Sequence, residues 1–220
     1  MGKNRKFIIL LMALFIIILI GGLSMIKKTV KQEQFDMQGV KLISLNADNA
    51  NVKVTLTDDT DIKIMQYSVM KVDETFACDI AVDDSGLTIT DNAKEVSWLF
   101  GIKGSAGIYY DLQIPKSYVQ SLDININTGN VEYSGQDGHA FGGFNVNIGD
   151  RGNINMVSLG LVENSQMFTN AGNIDIALSN KMSCMVAGEA VSGDMKIDDK
   201  FSTGELTLTV KSNKGNVTVK

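Results

Sequence analysis

The chain has 220 residues, of which 44% are hydrophobic and 20% are charged, which excludes a disordered chain and suits one domain with an appendage. Twenty-one glycines against one proline fit a β protein whose turns rely on glycine. The net charge of −5 is unevenly distributed. Residues 1–31 hold six lysines and arginines and no acid, so residues 32–220 carry 14 basic against 25 acidic side chains, a net charge of −11. Such an acidic domain repels phosphate backbones, and nucleic acid is not an expected partner.

Residues 7–26 (FIILLMALFIIILIGGLSMI) carry no charge and are flanked by basic residues on both sides. At about 1.5 Å per residue, a helix of this length spans roughly 30 Å, the thickness of the hydrocarbon core of a bilayer. A cleaved signal peptide has a shorter apolar core, of about 7–15 residues, and a small-residue cleavage site. No cysteine follows the run, so a lipid-modified cysteine after it is excluded as well. The segment is therefore predicted to be an uncleaved transmembrane signal-anchor whose partner is the lipid bilayer.

The segments around this span define the expected topology. Residues 1–6 would form a short cytoplasmic N-terminus, residues 27–39 a polar juxtamembrane linker, and residues 40–220 an ectodomain. Basic residues on both sides give no clear orientation by charge, but long domains translocate largely regardless of their charge. The expected location is the cell membrane, with a single span and the β domain outside the cell.

The first part of the ectodomain contains irregular turn-and-strand units. Residues 49–54 (NANVKV) form one unit, in which Ala50 takes the place of the glycine in later units. Residues 85–90 (SGLTIT) form another. Terminal repeats of repeat proteins are often atypical in this way.

Residues 94–108 (KEVSWLFGIKGSAGI) break the pattern and hold the only tryptophan. Trp98, Leu99 and Phe100 are consecutive, so their side chains cannot all face one core. One interpretation is a loop folded over the open end or flank of the β stack, which buries these side chains. The other is an exposed apolar loop that contacts a partner or the membrane surface.

A regular repeat follows. Residues 124–133 (ININTGNVEY) combine an alternating strand, a Gly-Asn turn and a second alternating strand, and the turn recurs as RGNINM, AGNIDI, SGDMKI and KGNVTV. The turn glycines are 23, 20, 21 and 22 residues apart; they are Gly129, Gly152, Gly172, Gly193 and Gly215. Apolar residues alternate with polar ones after each turn, which places the apolar set on one buried face. Glycine reaches positive φ at no steric cost, and Asn or Asp tolerates it better than most residues, so the pair is interpreted as turn chemistry.

Two architectures fit this repeat. In one, each unit is a hairpin of an antiparallel β-sandwich or meander. In the other, each unit is one coil of an all-β solenoid, and the Gly-Asn or Gly-Asp corners stack on one another. A single unit cannot bury its apolar face alone, so neighbouring units must cover it. The nearly constant step favours the solenoid, because hairpin pairs have no reason to keep it.

Residues 109–135 (YYDLQIPKSYVQSLDININTGNVEYSG), with the glycine-turn units after them, resemble the bacterial putative-adhesin β-strand-repeat family. This domain of unknown function occurs in membrane-anchored surface proteins, including one encoded among Lia-type cell-envelope stress genes. The resemblance covers residues 40–220. It implies a solenoid-like ectodomain with no assigned catalytic residues, and it carries no binding residues onto this chain.

Few residues offer chemistry. The only histidine, His139, lies in a glycine-rich stretch and is predicted to be an exposed loop residue, because no nucleophile elbow accompanies it. Cys78 and Cys184 alternate in phase with apolar neighbours and are predicted to be buried thiols, although their pairing depends on a Cα separation that the sequence does not show. One histidine and two distant cysteines do not make a zinc site. No cofactor or metal is expected.

Acidic residues cluster in several predicted turns: Asp58, Asp59, Asp61, Asp83, Asp84, Asp198 and Asp199. Carboxylates on solenoid turns can bind calcium or act as acid and base on a polysaccharide. The spacings of calcium-binding EF-hands and β-rolls are absent, so solvated turn carboxylates are the simpler interpretation.

The expected function is that of a non-enzymatic surface protein whose rigid ladder binds another protein or a wall polymer, in adhesion or in the envelope stress response. One alternative is a polysaccharide-acting enzyme that uses Asp83, Asp84, Asp198 and Asp199. Another is a regulator of a neighbouring membrane sensor, acting through the helix or the Trp98 loop.

Overall fold

The computed structural model describes residues 28–69, 77–91, 96–97, 103–104 and 107–220. These residues are almost entirely β-structure, with one 3-10 helix at Asp199–Phe201. The strands in chain order are β1 Lys28–Asp36, β2 Leu42–Thr57, β3 Asp61–Ser68, β4 Asp79–Asp83, β5 Gly86–Thr90, β6 Val96–Ser97, β7 Lys103–Gly104, β8 Ile108–Pro115, β9 Ser121–Thr128, β10 Val131–Ser134, β11 Phe144–Arg151, β12 Ile154–Leu159, β13 Ser165–Ala171, β14 Ile174–Leu178, β15 Cys184–Ala190, β16 Met195–Ile197, β17 Leu206–Lys214 and β18 Val217–Val219.

The chain coils between two walls of strands. Wall 1 contains β4, β5, residues 42–49 of β2, β9, β11, β13, β17 and β15, whereas wall 2 contains β1, β3, β8, residues 50–57 of β2, β10, β12, β14, β18 and β16. From β9 onward each coil supplies one strand to each wall, and strands of neighbouring coils pair in parallel. The predicted β-solenoid is confirmed, and the antiparallel sandwich or meander is wrong for this part of the chain.

The coils do not stack in the order of the sequence. The last coil, β17 with β18, lies between the β13–β14 coil and the β15–β16 coil. At the other end, β2 lies between the coil of β9 and β10 and the strands β5 and β8. The C-terminal coil and β2 are therefore each covered on both sides, and the coil of β15 and β16, which comes earlier in the sequence than β17, forms one end of the stack.

One end of the stack carries an antiparallel cap. In wall 2, β8 pairs with β3 and β3 pairs with β1, and in wall 1, β5 pairs with β4. The prediction that residues 27–39 form only a polar linker is wrong for Lys28–Asp36. This segment is a strand because Phe35 packs against the core and because its backbone pairs with the edge of β3 that β8 leaves free. Within the described residues no helix is long and apolar enough to cross a membrane, and the predicted span at residues 7–26 lies outside them.

The core consists of in-register rows of inward side chains. In wall 1 one row joins Ile89, Leu45, Ile124, Val146, Met167 and Val210 across six strands. In wall 2 the matching row joins Tyr110, Val52, Val131, Ile154, Ile174 and Val217. All of these side chains are almost completely buried. Alternation along each strand is what produces the rows, since residues two apart face the same side.

The uncapped end of the stack is narrower than its middle. Gly188 of β15 continues the wall 1 row beyond Val210, and a Cβ on it would lie 2.7 Å from Ile197 and 2.9 Å from the sulfur of Met195. The two walls therefore come closer together at Gly188, because this residue has no side chain to hold them apart. This gives a physical reason for the coil order, because Leu208 and Val210 of β17 need a neighbour on both sides, whereas the small inward residues of β15 do not.

Candidate functional site

The five turn glycines predicted from the sequence form one continuous corner stack. Gly129 lies against the carbonyl of Ala50, and the stack continues through Gly152, Gly172, Gly215 and Gly193. Gly129 has φ of +136°, and a Cβ on it would lie 1.8 Å from the oxygen of Ala50. Glycine is therefore required there by space as well as by conformation. The prediction that the corners stack is confirmed, with Gly215 inserted before Gly193.

The residue after each corner glycine has a role that the sequence interpretation missed. The backbone N–H of each such residue donates to the side-chain oxygen of the residue before it in the series Asn51, Asn130, Asn153, Asn173, Asn216 and Asp194, at 2.8–3.1 Å. Asn51, which follows Ala50, begins the series and only accepts. Among the described non-glycine residues only Ser158 has positive φ, so asparagine is not needed here for its conformation. It is needed as an acceptor. The recurrence of Asn after Gly was the signal in the sequence.

His139 is buried, and the prediction of an exposed loop residue is wrong. Its side chain is 9% exposed, and its ring lies edge-on to Phe141 with centroids 4.7 Å apart. Nε2 donates to the carbonyl of Tyr118 at 2.9 Å, while Nδ1 has no hydrogen-bond partner among the described residues. Burial lowers the pKa of His139, because the imidazolium would lose its hydration. The loop folds inward because Phe141 belongs to the core.

We expect this histidine to make the fold less stable in acid. Because its pKa in the folded state is lower than in the unfolded state, the unfolded chain binds the proton first as the pH falls below the ordinary value of 6.5. The free energy of unfolding should therefore decrease between pH 7.5 and pH 5.5. Chemical denaturation at both pH values, for the wild type and His139→Gln, measures this. An equal decrease in the two proteins would contradict the assignment.

Cys78 and Cys184 are buried free thiols, as predicted. Burial raises the pKa of the Cys78 thiol to about 11 and also raises the pKa of Cys184. Both are therefore protonated at neutral pH and are poor nucleophiles.

The acidic residues proposed for polysaccharide chemistry do not meet. Asp83 and Asp84 lie at the turn between β4 and β5, whereas Asp198 and Asp199 lie beside β15, six strands away in wall 1. At about 4.8 Å per strand this separates them by roughly 30 Å. The two carboxylates of a glycosidase are about 5–10 Å apart, so the suggested four-residue site is wrong. Among the described residues no group of three His, Cys, Asp or Glu side chains could hold a metal ion.

The outer surface of wall 1 carries a broad array of amide side chains. Outward residues of four neighbouring strands line a groove of about 560 Å³, and Thr209 and Lys211 of β17 form one side of it. The residues of the other three strands define what we call the amide face: Asp123, Asn125, Asn145, Asn147, Gln166 and Phe168. Asn145 donates to Asp123 at 2.8 Å, and its oxygen accepts the backbone N–H of Gln166 at 2.9 Å. These two bonds fix the amide of Asn145, and the half-buried side chain of Phe168 lies on the neighbouring strand. The alternating Asn residues of β9 and β11 were visible in the sequence, but their meeting across strands was not.

Trp98, Leu99 and Phe100, the candidate interaction loop, lie outside the described residues. Both interpretations of this loop remain predictions.

Comparison with known proteins agrees with the fold. A solved structure described as a "putative cell adhesion protein" from Clostridium sporogenes has a TM-score of 0.61 at 12% identity, over 88% of this chain and 99% of that one. Two others, each described as a "putative adhesin", come from Bacteroides fragilis and Parabacteroides merdae. They have TM-scores of 0.32 and 0.31 at 12% and 13% identity, over 88% and 86% of this chain and 97% and 90% of theirs.

No curated protein matches the chain. The model of one family, however, matches residues 40–220, which is most of the chain and the whole of the solenoid apart from β1. The matched region contains every corner glycine and all the residues of the hydrogen-bonded series from Asn51 to Asp194. The expected resemblance to a β-strand-repeat family of unknown function is confirmed. The chain belongs to the Toastrack DUF4097 family.

Proposed function

We propose that this protein is a membrane-anchored, non-enzymatic module of the cell surface that binds a cell-envelope polymer through the amide face. The observation that carries the proposal is the amide face itself, a set of hydrogen-bonding side chains that the parallel stack places side by side on β9, β11 and β13. A polymer with evenly spaced polar groups can contact such a surface at several places at once, which increases affinity without a deep pocket.

Two further observations support this location and role. Residues 7–26 have the length and composition of a membrane span, which would place the solenoid at the cell surface. The Clostridium sporogenes structure with the same fold is described as a "putative cell adhesion protein". The separation of the turn carboxylates removes the one enzymatic grouping that the sequence suggested.

The test uses full-length protein in nanodiscs, sedimented with purified cell walls. We expect Asn147→Arg to lower the wall-bound fraction by about fivefold or more, because a bulky side chain at the centre of a contact surface disrupts its closest contacts. Asn147 is exposed on β11, so the substitution should leave stability within about 0.5 kcal/mol.

The matched control is Asn155→Arg, an exposed asparagine in the same coil but on wall 2. It makes the same change of charge and size and should leave the wall-bound fraction unchanged. Equal sedimentation of both variants with the wild type, or an equal loss in both, would refute binding through the amide face.

A further inference from the structure

A second concave surface lies on wall 2, beside the antiparallel cap. It is a cleft of about 510 Å³ whose outward side chains define what we call the tyrosine cleft: Asn51, Lys53, Tyr67, Tyr109, Asp111 and Glu132. This volume falls in the range of small-molecule sites, roughly 300–1,000 Å³. The cleft lies on the opposite wall from the amide face, so its occupant does not depend on the function proposed above.

Strand register produces the cleft from residues that are distant in the chain. Tyr67 of β3 pairs with Tyr109 of β8, which pairs with Asn51 of β2, and this forms one outward row. The next row joins Asp111, Lys53 and Glu132 across β8, β2 and β10. Both tyrosine rings are half-buried and outward-facing. The floor of the cleft therefore has an aromatic part, formed by the two tyrosines, next to a row in which acidic and basic side chains alternate.

Asp111 contains an unsatisfied polar atom. Its Oδ1 is shielded from solvent and has no hydrogen-bond partner among the described residues. Buried polar atoms are nearly always hydrogen-bonded, so an unpaired one in the lining of a cleft indicates a missing donor. An ionised carboxylate can only accept hydrogen bonds, and the missing group must therefore donate one.

The other polar groups of the cleft restrict the chemistry of that donor. Lys53 and Asn51 offer donors, while Asp111 and Glu132 offer acceptors, so the ligand should both donate and accept hydrogen bonds at neighbouring atoms. Lys53 between the two carboxylates disfavours a cationic ligand, and the net charge of −11 over residues 32–220 disfavours an anionic one. The tyrosine rings provide an apolar surface for the remainder of the molecule.

We infer that the tyrosine cleft binds a neutral saccharide, with a sugar hydroxyl donating to the carboxylate of Asp111, whose side chain turns to expose Oδ1, and an apolar sugar face packed on Tyr67 and Tyr109. A sugar ring combines adjacent hydroxyls with an apolar C–H face, which matches both sides of the cleft. Neither row alone would be specific for it.

The test is isothermal titration of full-length protein in nanodiscs with a panel of neutral oligosaccharides that includes the N-acetylglucosamine tetramer and cellotetraose. We expect at least one to bind, and Asp111→Asn to weaken that binding by about tenfold or more, because the hydrogen bond loses its charge assistance and an NH2 donor replaces one of the two accepting oxygens. Tyr109→Leu should weaken binding of the same saccharide as well, since it removes the aromatic surface.

Asp175→Asn is the matched control, with the same change of charge in the same outward row but four strands away, about 19 Å at roughly 4.8 Å per strand. It should bind as the wild type does, and circular dichroism of both aspartate variants checks folding. No binding of any neutral oligosaccharide by the wild type, or equal affinity in Asp111→Asn and Asp175→Asn, would overturn the inference. Asn147→Arg should retain saccharide binding, so a failure of the cleft and a failure of the amide face give different results.

Discussion

Gly129→Ala should destabilise the solenoid by about 2–5 kcal/mol, which is a large part of the roughly 5–15 kcal/mol by which domains are usually stable. Two terms add. A left-handed conformation costs a residue with a Cβ about 1–2 kcal/mol, and forcing an extra carbon into a packed site costs about 1–3 kcal/mol more. The new Cβ would lie 1.8 Å from the oxygen of Ala50, so β2 and the coil of β9 and β10 must move apart.

Gly138→Ala separates these two terms. Gly138 has φ of +94°, yet a Cβ on it would meet no atom within 4 Å. It should therefore lose only the conformational part, about 1–2 kcal/mol. Urea unfolding of full-length protein in detergent, followed by far-ultraviolet circular dichroism, measures both variants. If Gly129→Ala is no less stable than Gly138→Ala, close corner contact does not hold the coils together.

Phe141→Ala should have an effect of similar size for a different reason. The ring is completely buried and lies edge-on to four others: His139 at 4.7 Å, Phe144 at 5.2 Å, Tyr133 at 5.6 Å and Tyr118 at 6.5 Å. Removing such a ring leaves a cavity and costs about 3–5 kcal/mol. The same unfolding measurement should show a lower urea midpoint with an unchanged slope.

Phe141→Leu is the control for shape. Leucine refills much of the cavity but loses the edge-to-face contacts, each of which contributes about 0.5–1.5 kcal/mol. Its loss of stability should lie between those of the wild type and Phe141→Ala. An effect of Phe141→Ala below about 0.5 kcal/mol would mean that residues 135–143 lie on the surface, as the sequence alone suggested.

Local pattern was enough to predict the coil. Period-2 alternation assigned the inward side chains of β9, β10, β11, β12 and β14 correctly, because the face of a strand is decided by parity along the chain and needs no knowledge of neighbours. The regular spacing of Gly129, Gly152 and Gly172 also predicted their stacking, because a constant period places equivalent corners of successive coils next to one another.

The sites were not predictable in the same way. The tyrosine cleft joins Tyr67, Asp111 and Glu132 from three strands, and the amide face joins Asn125, Asn147 and Gln166 from three others. Such groupings depend on which strands are neighbours and in what register. The burial of His139 was predicted wrongly for a related reason, because the loop sequence alone does not show that the nearby Phe141 packs in the core.

The amino-acid sequence by itself determined the period, the inward faces and the glycine corners, because each of these is a property of one coil. Only the tertiary structure decided the order of the coils. Every coil carries nearly the same turn and the same alternation, so any two can pair locally. Which coils become neighbours depends on the volume of the side chains between the walls. The large residues Leu208 and Val210 place β17 between β13 and β15, whereas β15, with Gly188 at the matching position, forms the end of wall 1.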